Sequence, residues 1–287
     1  MIVWLASYPK SGNTWVRTFL NAILYTEKGI SDLSHLSHLD KITQYPIRSQ
    51  FENLIENFRD IDEIKKKWIA SQDLINLDEK VKFFKTHHVN CRIGSDHFTN
   101  LHNTLGVIHI VRDPRNVITS IKNHYYLNSY NKAKQFIFDE NKFVGLEDKN
   151  TKISDNKILT LVGSWKTNYN SWKNTKKNYL LIKYENLIEN PETEFHKIIS
   201  YLKNLLNITI SNDKISKAIE STSFKNLQTQ EKLGKFTEYS RVKKTGDKIK
   251  FFYLGPENKW KKFLDKETCR EVEEKFSVEM KELGYLN

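Results

Sequence analysis

The stretch SYPKSGNTW, residues 7–15, decides how this chain folds. It follows the apolar run Ile2–Ala6 and leads into residues 14–25, where apolar side chains recur with helical spacing. Gly12 permits a tight turn, and the helix that follows offers unpaired N–H groups and a positive dipole end. Lys10 adds a full positive charge. The stretch therefore predicts a phosphate-binding loop between a strand and a helix.

Three other side chains of this loop can donate hydrogen bonds to an anion, namely Ser11, Asn13 and Thr14. The alternative is a plain turn in which Thr14 caps the helix. The loop is not a Walker A motif, because the GxxxxGK[ST] pattern is absent and the lysine precedes the glycine.

The composition is that of one folded domain. The 287 residues are 38% hydrophobic and 12% aromatic, which is enough to bury a sizeable core, so we predict a single domain over 1–287. Neither a membrane span nor a secretory signal is predicted, since the apolar runs are too short for either. Cys91 and Cys269 lack metal-ligand spacing, which favours reduced cysteines in a cytoplasmic protein.

The net charge of +11 comes from lysine, with 38 lysines against 8 arginines. Such lysines are typical of solvated surface, whereas nucleic-acid binders concentrate basic residues on one face or in a tail. The one short run, residues 65–67, lies beside Trp68 in a predicted helix. No nucleic-acid partner is predicted.

Four short apolar runs have the length of buried strands, and helical stretches separate them: Ile2–Ala6, Val81–Phe84, Val107–Val111 and Tyr179–Ile182. This alternation predicts an α/β fold with a central parallel sheet flanked by helices. Polar, ionisable residues follow each run: Lys10-Ser11-Gly12, Lys85-Thr86-His87, Arg112-Asp113 and Lys183-Tyr184-Glu185. Because ligands bind outside the carboxyl ends of such strands, one shared site is predicted there.

The loop YPKSGNTW resembles the 5′-phosphosulfate loop of sulfotransferases that use 3′-phosphoadenosine 5′-phosphosulfate (PAPS), which commonly reads YPKSGTTW or YPKSGNTW. The resemblance implies the P-loop-NTPase-like sulfotransferase fold and transfer of a sulfuryl group to an acceptor hydroxyl or, as a second choice, an amine. The product would be 3′,5′-adenosine bisphosphate (PAP). By resemblance Lys10 contacts the bridging and leaving oxygens, and Ser11, Gly12, Asn13 and Thr14 hold the 5′-phosphate. Trp15 would lie against the adenine, although it could equally belong to the core.

Residues 107–125, VIHIVRDPRNVITSIKNHY, resemble the 3′-phosphate motif of the same family. Asp113 and Pro114 predict a helix start, with Asp113 as the cap. The resemblance assigns 3′-phosphate binding to Arg112 and Ser120, and arginine suits this role because its planar fork meets phosphate oxygens bidentately. The alternative is a surface Arg112 that pairs with Asp113.

Residues 83–90, FFKTHHVN, resemble the catalytic segment of the family. The KTH context makes His87 the base that takes the proton of the acceptor, with His88 as the rival. Lys85 would stabilise the transferring group. A neutral imidazole with an ordinary pKa of about 6.5 is a suitable base at neutral pH.

Two further stretches extend the resemblance on the adenine side. LLIKYENLIENPETEF, within residues 180–202, matches a strand, Tyr-Glu and a helix that begins at Asn190-Pro191, and by resemblance Tyr184 approaches the adenine. Thr222 and Phe224 belong to a TSF element that would also touch the base. Each of these side chains could instead serve packing.

The carboxyl-terminal stretch FFYLGPENKWKKFL, residues 251–264, resembles the family pattern FFRKGxxGDWK, in which glycine donates its backbone to the 3′-phosphate. By resemblance Gly255 would take that role, but Tyr253 and Leu254 stand where the family has Arg and Lys. A rival alignment uses RVKKTGD, residues 241–247. We hypothesise that Arg241, Lys243 or Lys244 supplies the missing charge.

The resemblance runs from residue 2 to the end and is weak over 26–80 and 126–158, which we interpret as acceptor-side insertions. The acceptor is predicted to be a small molecule, lipid or carbohydrate, and the oligomeric state is not readable. No metal site is expected, since no set of residues has ligand spacing. The alternatives are a nucleotide-dependent small-molecule kinase and a non-catalytic nucleotide- or polyanion-binding relative.

Overall fold

The computed structural model describes residues 1–31, 33–36, 41–145, 156–236, 240–241 and 245–286. The strands are β1 Ile2–Ser7, β2 Ile42–Gln44, β3 Lys82–Thr86, β4 Arg92–Ile93, β5 Asp96–His97, β6 Thr104–Val111, β7 Phe143–Val144, β8 Thr160–Leu161, β9 Tyr179–Lys183, β10 Ser240–Arg241 and β11 Lys248–Ile249. The helices are α1 Asn13–Tyr25, α2 Ile61–Lys66, α3 Trp68–Asn76, α4 Pro114–His124, α5 Tyr130–Phe138, α6 Trp165–Lys173, α7 Tyr184–Glu189, α8 Pro191–Leu206, α9 Asn212–Ser221, α10 Phe224–Lys232, α11 Lys266–Lys275 and α12 Ser277–Glu282.

A five-stranded sheet in the order β2-β3-β1-β6-β9 forms the centre, and every pairing in it is parallel. The predicted α/β fold with a central parallel sheet flanked by helices is therefore confirmed. The sequence did not predict β2, because its three residues, Ile-Thr-Gln, form no apolar run. Pairing with β3 places β2 at the edge, where a short and partly polar strand is tolerated.

Strand β1 shows why the sheet is covered on both faces. Its residues are fully buried, and they alternate between two clusters of the core. Val3 and Leu5 pack in the cluster that contains residues of α1 and α8, whereas Ile2 and Trp4 pack in an aromatic-rich cluster on the other side. Within the described ranges, no helix has the length and apolar character needed to cross a membrane.

Strand β3 runs two residues beyond its predicted end at Phe84. Lys85 and Thr86 were predicted to follow the strand, but they pair with Leu5 and Ala6 of β1 and continue the sheet. Apolar content alone could not show this, because the extension is held by backbone pairing. The consequence is that the residue after Thr86 emerges beside the end of β1.

The predicted helix starts are confirmed at two places next to the sheet. Helix α4 begins at Pro114, and the Asp113 side chain accepts a hydrogen bond from the backbone N–H of Arg115. Helix α8 begins at Pro191, directly after Asn190. Since α4 follows β6, its start fixes the direction in which the chain leaves Arg112.

Candidate active site

The loop between β1 and α1 turns through two left-handed residues, Lys10 with φ 68° and Gly12 with φ 103°. The N–H of Ser11 donates to the Tyr8 carbonyl (3.3 Å), which closes the turn. Gly12 is the N-cap of α1, and no side chain caps the helix, so Thr14 is not its cap. The structure thus contains the tight turn and the helix start that the sequence predicts, and anion binding by them stays a prediction.

Replacing Gly12 by alanine is expected to disrupt this loop. A Cβ atom there would lie 2.5 Å from Cδ2 of Tyr184, and the positive φ already disfavours a side chain. We expect a lower melting temperature and an at least ~10-fold weaker affinity for PAP by calorimetry. Gly94→Ala is the matched control, because its φ is also positive but its Cβ would meet no atom within 4 Å. Equal behaviour of the two variants would refute the steric argument.

Several buried polar atoms around the loop have no hydrogen-bond partner among the described residues, and they include Ser11 Oγ, Trp15 Nε1 and Arg112 Nε. Buried polar groups are nearly always paired, so each exception requires an explanation. A hydroxyl and a guanidinium N–H are donors suited to phosphate oxygens. These unpaired donors therefore fit a ligand that carries phosphate groups.

Arg112 leaves the end of β6 and reaches the loop. Its Nη1 donates to the Lys10 carbonyl (2.9 Å), and its guanidinium lies 4.1 Å above the Tyr184 ring. Arg112 is only 5% exposed, which excludes the alternative of a surface arginine. The arginine that pairs with Asp113 is Arg115 instead, at 2.7 Å.

Lys10 has a strongly lowered pKa. Burial first, and then the charges of Arg112 and Lys85, together lower it to about 7, while the charge of Glu231 acts in the opposite direction. Its Nζ lies 3.4 Å from the centroid of the Phe251 ring. The charges of Arg112 and Lys85 raise the free energy of the charged lysine, and an anion bound beside Lys10 would lower it.

His87 is half-buried. It lies beside the loop because it directly follows β3, which pairs with β1 up to Thr86. Its Nδ1 donates to the Ser7 carbonyl (2.8 Å), with the Ser7 hydroxyl at 3.2 Å. This bond places the proton on Nδ1 and leaves the lone pair on Nε2. Burial, followed by the charge of Lys85 and later that of Lys10, lowers the His87 pKa to about 3. The imidazole is therefore neutral at physiological pH.

His88, the rival base, lies in the core. It is fully buried, it stacks on Phe98 with ring centroids 4.2 Å apart and 4° between the planes, and it meets Trp68 edge-on. Its Nδ1 donates to the Val89 carbonyl at 2.7 Å. These contacts indicate that His88 stabilises the core.

The aromatic residues predicted for the adenine side gather around Trp15. The rings of Tyr184 and Phe224 lie 6.2 and 6.0 Å from that of Trp15. Gly255 approaches so closely that a Cβ atom there would lie 2.1 Å from Phe224. Thr222 is fully buried and donates its hydroxyl to the Ala218 carbonyl (2.6 Å). The structure thus brings four distant stretches of sequence together.

The 3′-phosphate side is described in part. Ser120 is half-buried on α4, between Asn116 and Asn123 of the same helical face, and both of these asparagines bind residues of the 250–260 stretch. The Tyr253 side chain is 50% exposed. We hypothesise that Arg241, Lys243 or Lys244 replaces the family arginine and lysine. The side chains of these three residues are not among those that the structure describes.

The structure adds positioning contacts that the sequence did not reveal. Asn13 donates both N–H groups of its side chain within the protein, to the Leu5 carbonyl and to Ser7 Oγ, each at 3.0 Å. Ser7 in turn contacts His87. Asn13 follows Lys10 by three positions, and this spacing gives no sign of such a contact, because both partners belong to the preceding strand β1. Among the described residues, no group of three or more His, Cys, Asp or Glu could hold a metal ion.

Solved structures with the same fold belong to sulfotransferases and a related enzyme. A mouse sulfotransferase, SULT7A1, complexed with PAP has a TM-score of 0.59 and 18% identity over 98% of this chain and 84% of that chain. Retinol dehydratase in a complex with retinol and PAP has a TM-score of 0.56 and 17% identity over 98% and 81%. Its complex with androsterone and the inactive cofactor PAP gives 0.55 and 16% over 98% and 80%.

The model of the family described as "Sulfotransferase domain" matches residues 2–284, nearly the whole chain. That match agrees with the geometry of the loop, with the strand ends and with the fold. The chain therefore belongs to the sulfotransferase family.

Proposed function

We propose that this protein transfers a sulfuryl group from PAPS to a hydroxyl group of an acceptor and releases PAP. The observation that carries the proposal is the contact of His87 Nδ1 with the Ser7 carbonyl, 2.8 Å. It joins a neutral base to the residue at which the phosphate-binding loop begins. The carboxyl end of β1 would therefore have both an anion site and a group able to take a proton beside it.

The donor would be held by residues from four parts of the chain. The loop would hold the 5′-phosphate through Lys10, the hydroxyls of Ser11 and Thr14, and the backbone N–H groups of Gly12 and Asn13. Arg112, Ser120 and Gly255 would hold the 3′-phosphate. The adenine would lie among Trp15, Tyr184, Thr222 and Phe224. The partnerless Ser11 hydroxyl and Arg112 Nε support this assignment.

The bound donor supplies the sulfuryl group, and the protein supplies the proton acceptor and the charges. His87 Nε2 would take the proton of the acceptor hydroxyl while Nδ1–H stays on the Ser7 carbonyl, which keeps the ring oriented. The ammonium groups of Lys10 and Lys85 would neutralise charge that develops on the transferring and leaving oxygens. Positioning and electrostatics supply most of the catalysis in this class of group transfer.

The low pKa of Lys10 predicts a pH dependence of donor binding. A bound phosphate favours the charged ammonium, so PAP binding takes up a proton wherever the free lysine is partly neutral. Since the free pKa is about 7, affinity for PAP should fall as pH rises above that value, by up to about tenfold per pH unit. Calorimetry between about pH 7 and about pH 9 measures the slope. Lys10→Met should flatten it, and an unchanged slope in that variant would contradict the assignment.

The acceptor would approach from the side of the 26–80 and 126–158 insertions. Aromatic side chains stand near this side, with Tyr125 and Phe136 at 4.9 Å between ring centroids. We propose a small-molecule, lipid or carbohydrate acceptor and a cytoplasmic location, the latter supported by the free thiols of Cys91 and Cys269. Incubating the protein with radiolabelled PAPS and representatives of each acceptor class tests the proposal. Label should pass to one class, and failure with hydroxyl acceptors but success with amines would revise it.

A further inference from the structure

The stretch 250–258, here called the cover segment, lies against the phosphate-binding loop although it lacks the charges of its family. Phe251 packs on the Lys10 ammonium at 3.4 Å, and Gly255 packs on Phe224. The segment thus touches both the phosphate side and the adenine side of the donor site. At positions 253 and 254 it carries tyrosine and leucine. Its contribution to donor binding must therefore depend on where its backbone is held.

Helix α10 holds this backbone with two polar side chains. The two carboxylate oxygens of Glu231 accept hydrogen bonds from the N–H groups of Phe251 (2.6 Å) and Phe252 (2.9 Å). The amide of Gln228 donates to the carbonyls of Phe252 (2.9 Å) and Tyr253 (3.2 Å). Two side chains therefore satisfy four backbone groups of three consecutive residues.

The spacing along α10 makes this one continuous contact. Phe224, Gln228 and Glu231 are four and three positions apart, so they lie on one face of the helix. The ring of Phe224 lies 5.8 Å from that of Phe252, which completes the face. Asn123 of α4 also donates to the Lys250 carbonyl at 3.0 Å. Side chains of both α10 and α4 therefore hold the cover segment.

We propose that Glu231 and Gln228 are positioning residues for donor binding. They hold the cover segment so that Phe251 meets Lys10 and Gly255 meets the ring of Phe224, and so join the two ends of the donor site. This inference rests on the proposed function, since it concerns the same site. A carboxylate near an anionic donor is unfavourable by charge repulsion, but Glu231 also raises the pKa of Lys10. The charge-neutral substitution Gln228→Met therefore separates positioning from the effect of the Glu231 charge on Lys10.

Calorimetric titration of the whole protein with PAP at about pH 6 tests the proposal, because Lys10, with a pKa of about 7, is then protonated. Glu231→Gln should raise the PAP dissociation constant about tenfold, since an amide can accept only from one of the two N–H groups. Gln228→Met, which changes no charge, should raise it about threefold to tenfold. The double variant should raise the PAP dissociation constant by less than the product of the two single increases, because both residues hold the same segment.

The matched control is Glu220→Gln, the same charge change at an exposed residue of α9, and it should leave the dissociation constant within about twofold. With saturating PAPS, kcat of Gln228→Met should stay within about threefold while KM for PAPS rises, which separates positioning from general damage. Unchanged or tighter PAP binding in Glu231→Gln, or unchanged binding in Gln228→Met, overturns the inference alone. A wild-type protein that does not bind PAP overturns the proposed function as well.

Discussion

Replacing His87 by alanine is expected to lower turnover at least ~100-fold while leaving the affinity for PAP within about threefold. The variant loses the only group of the KTH segment whose ring nitrogen is oriented by the phosphate-binding loop, through Ser7. Because the His87 pKa is lowered to about 3, the lost base is one that is neutral throughout the usual assay range. Initial rates with labelled PAPS and calorimetry with PAP measure the two effects separately.

His87→Asn and His88→Gln are the informative companions of this variant. The asparagine amide can still donate to the Ser7 carbonyl but offers no basic nitrogen, so its rate should fall as far as that of the alanine variant. His88 is stacked on Phe98 in the core, so His88→Gln should lower the melting temperature and leave kcat of the folded fraction within about threefold. A large rate loss in His88→Gln with full activity in His87→Asn would reverse the assignment of the base.

Replacing Lys10 by alanine is expected to reduce turnover at least ~100-fold as well, but with a different signature. Lys10 is proposed to contact both the bound phosphates and the leaving oxygen, so the variant should weaken PAP binding in addition to lowering kcat. The loss of PAP affinity should be largest below about pH 7, where the free lysine is charged, and should shrink as the pH rises above that value. Comparing kcat and the PAP dissociation constant in the same preparation measures both parts.

Lys173→Ala is the control for loss of a lysine that contacts an aromatic ring. Its Nζ lies 5.1 Å from the Tyr169 centroid and pairs with Glu282, and no site residue is involved. This variant should retain wild-type kinetics within about twofold. If Lys10→Ala kept the wild-type rate and PAP affinity, the loop would bind something other than the donor.

Much of the fold could be read from local patterns. The loop at residues 7–15 showed a strand end, a turn and a helix start in nine residues, and Asp113 with Pro114 marked another helix start. Four apolar runs marked four of the five central strands. The edge strand β2 was not predicted, because it has only three residues and only one buried apolar side chain, that of Ile42. Long-range pairing with β3, and not composition, makes it a strand.

The site could be predicted only as a set of stretches, because its contacts join residues far apart in the chain. The KTH context favoured His87 over His88, but only the pairing of β1 with β3 shows that His87 lies beside Ser7. Nothing in the sequence connects Lys10 with Phe251 or Glu231 with the backbone of the cover segment. These contacts depend on how α10 and the carboxyl-terminal stretch pack over the sheet.

One measurement tests the central claim most directly: transfer of label from radiolabelled PAPS to an acceptor panel without added metal, alongside ATP with magnesium, in wild type and His87→Ala. The account predicts acceptor-dependent transfer from PAPS by wild type, none from ATP, and at least ~100-fold slower transfer by His87→Ala. Turnover with ATP and magnesium but not with PAPS would identify a kinase. PAP binding without transfer to any acceptor would identify a non-catalytic relative, and either result would contradict the account.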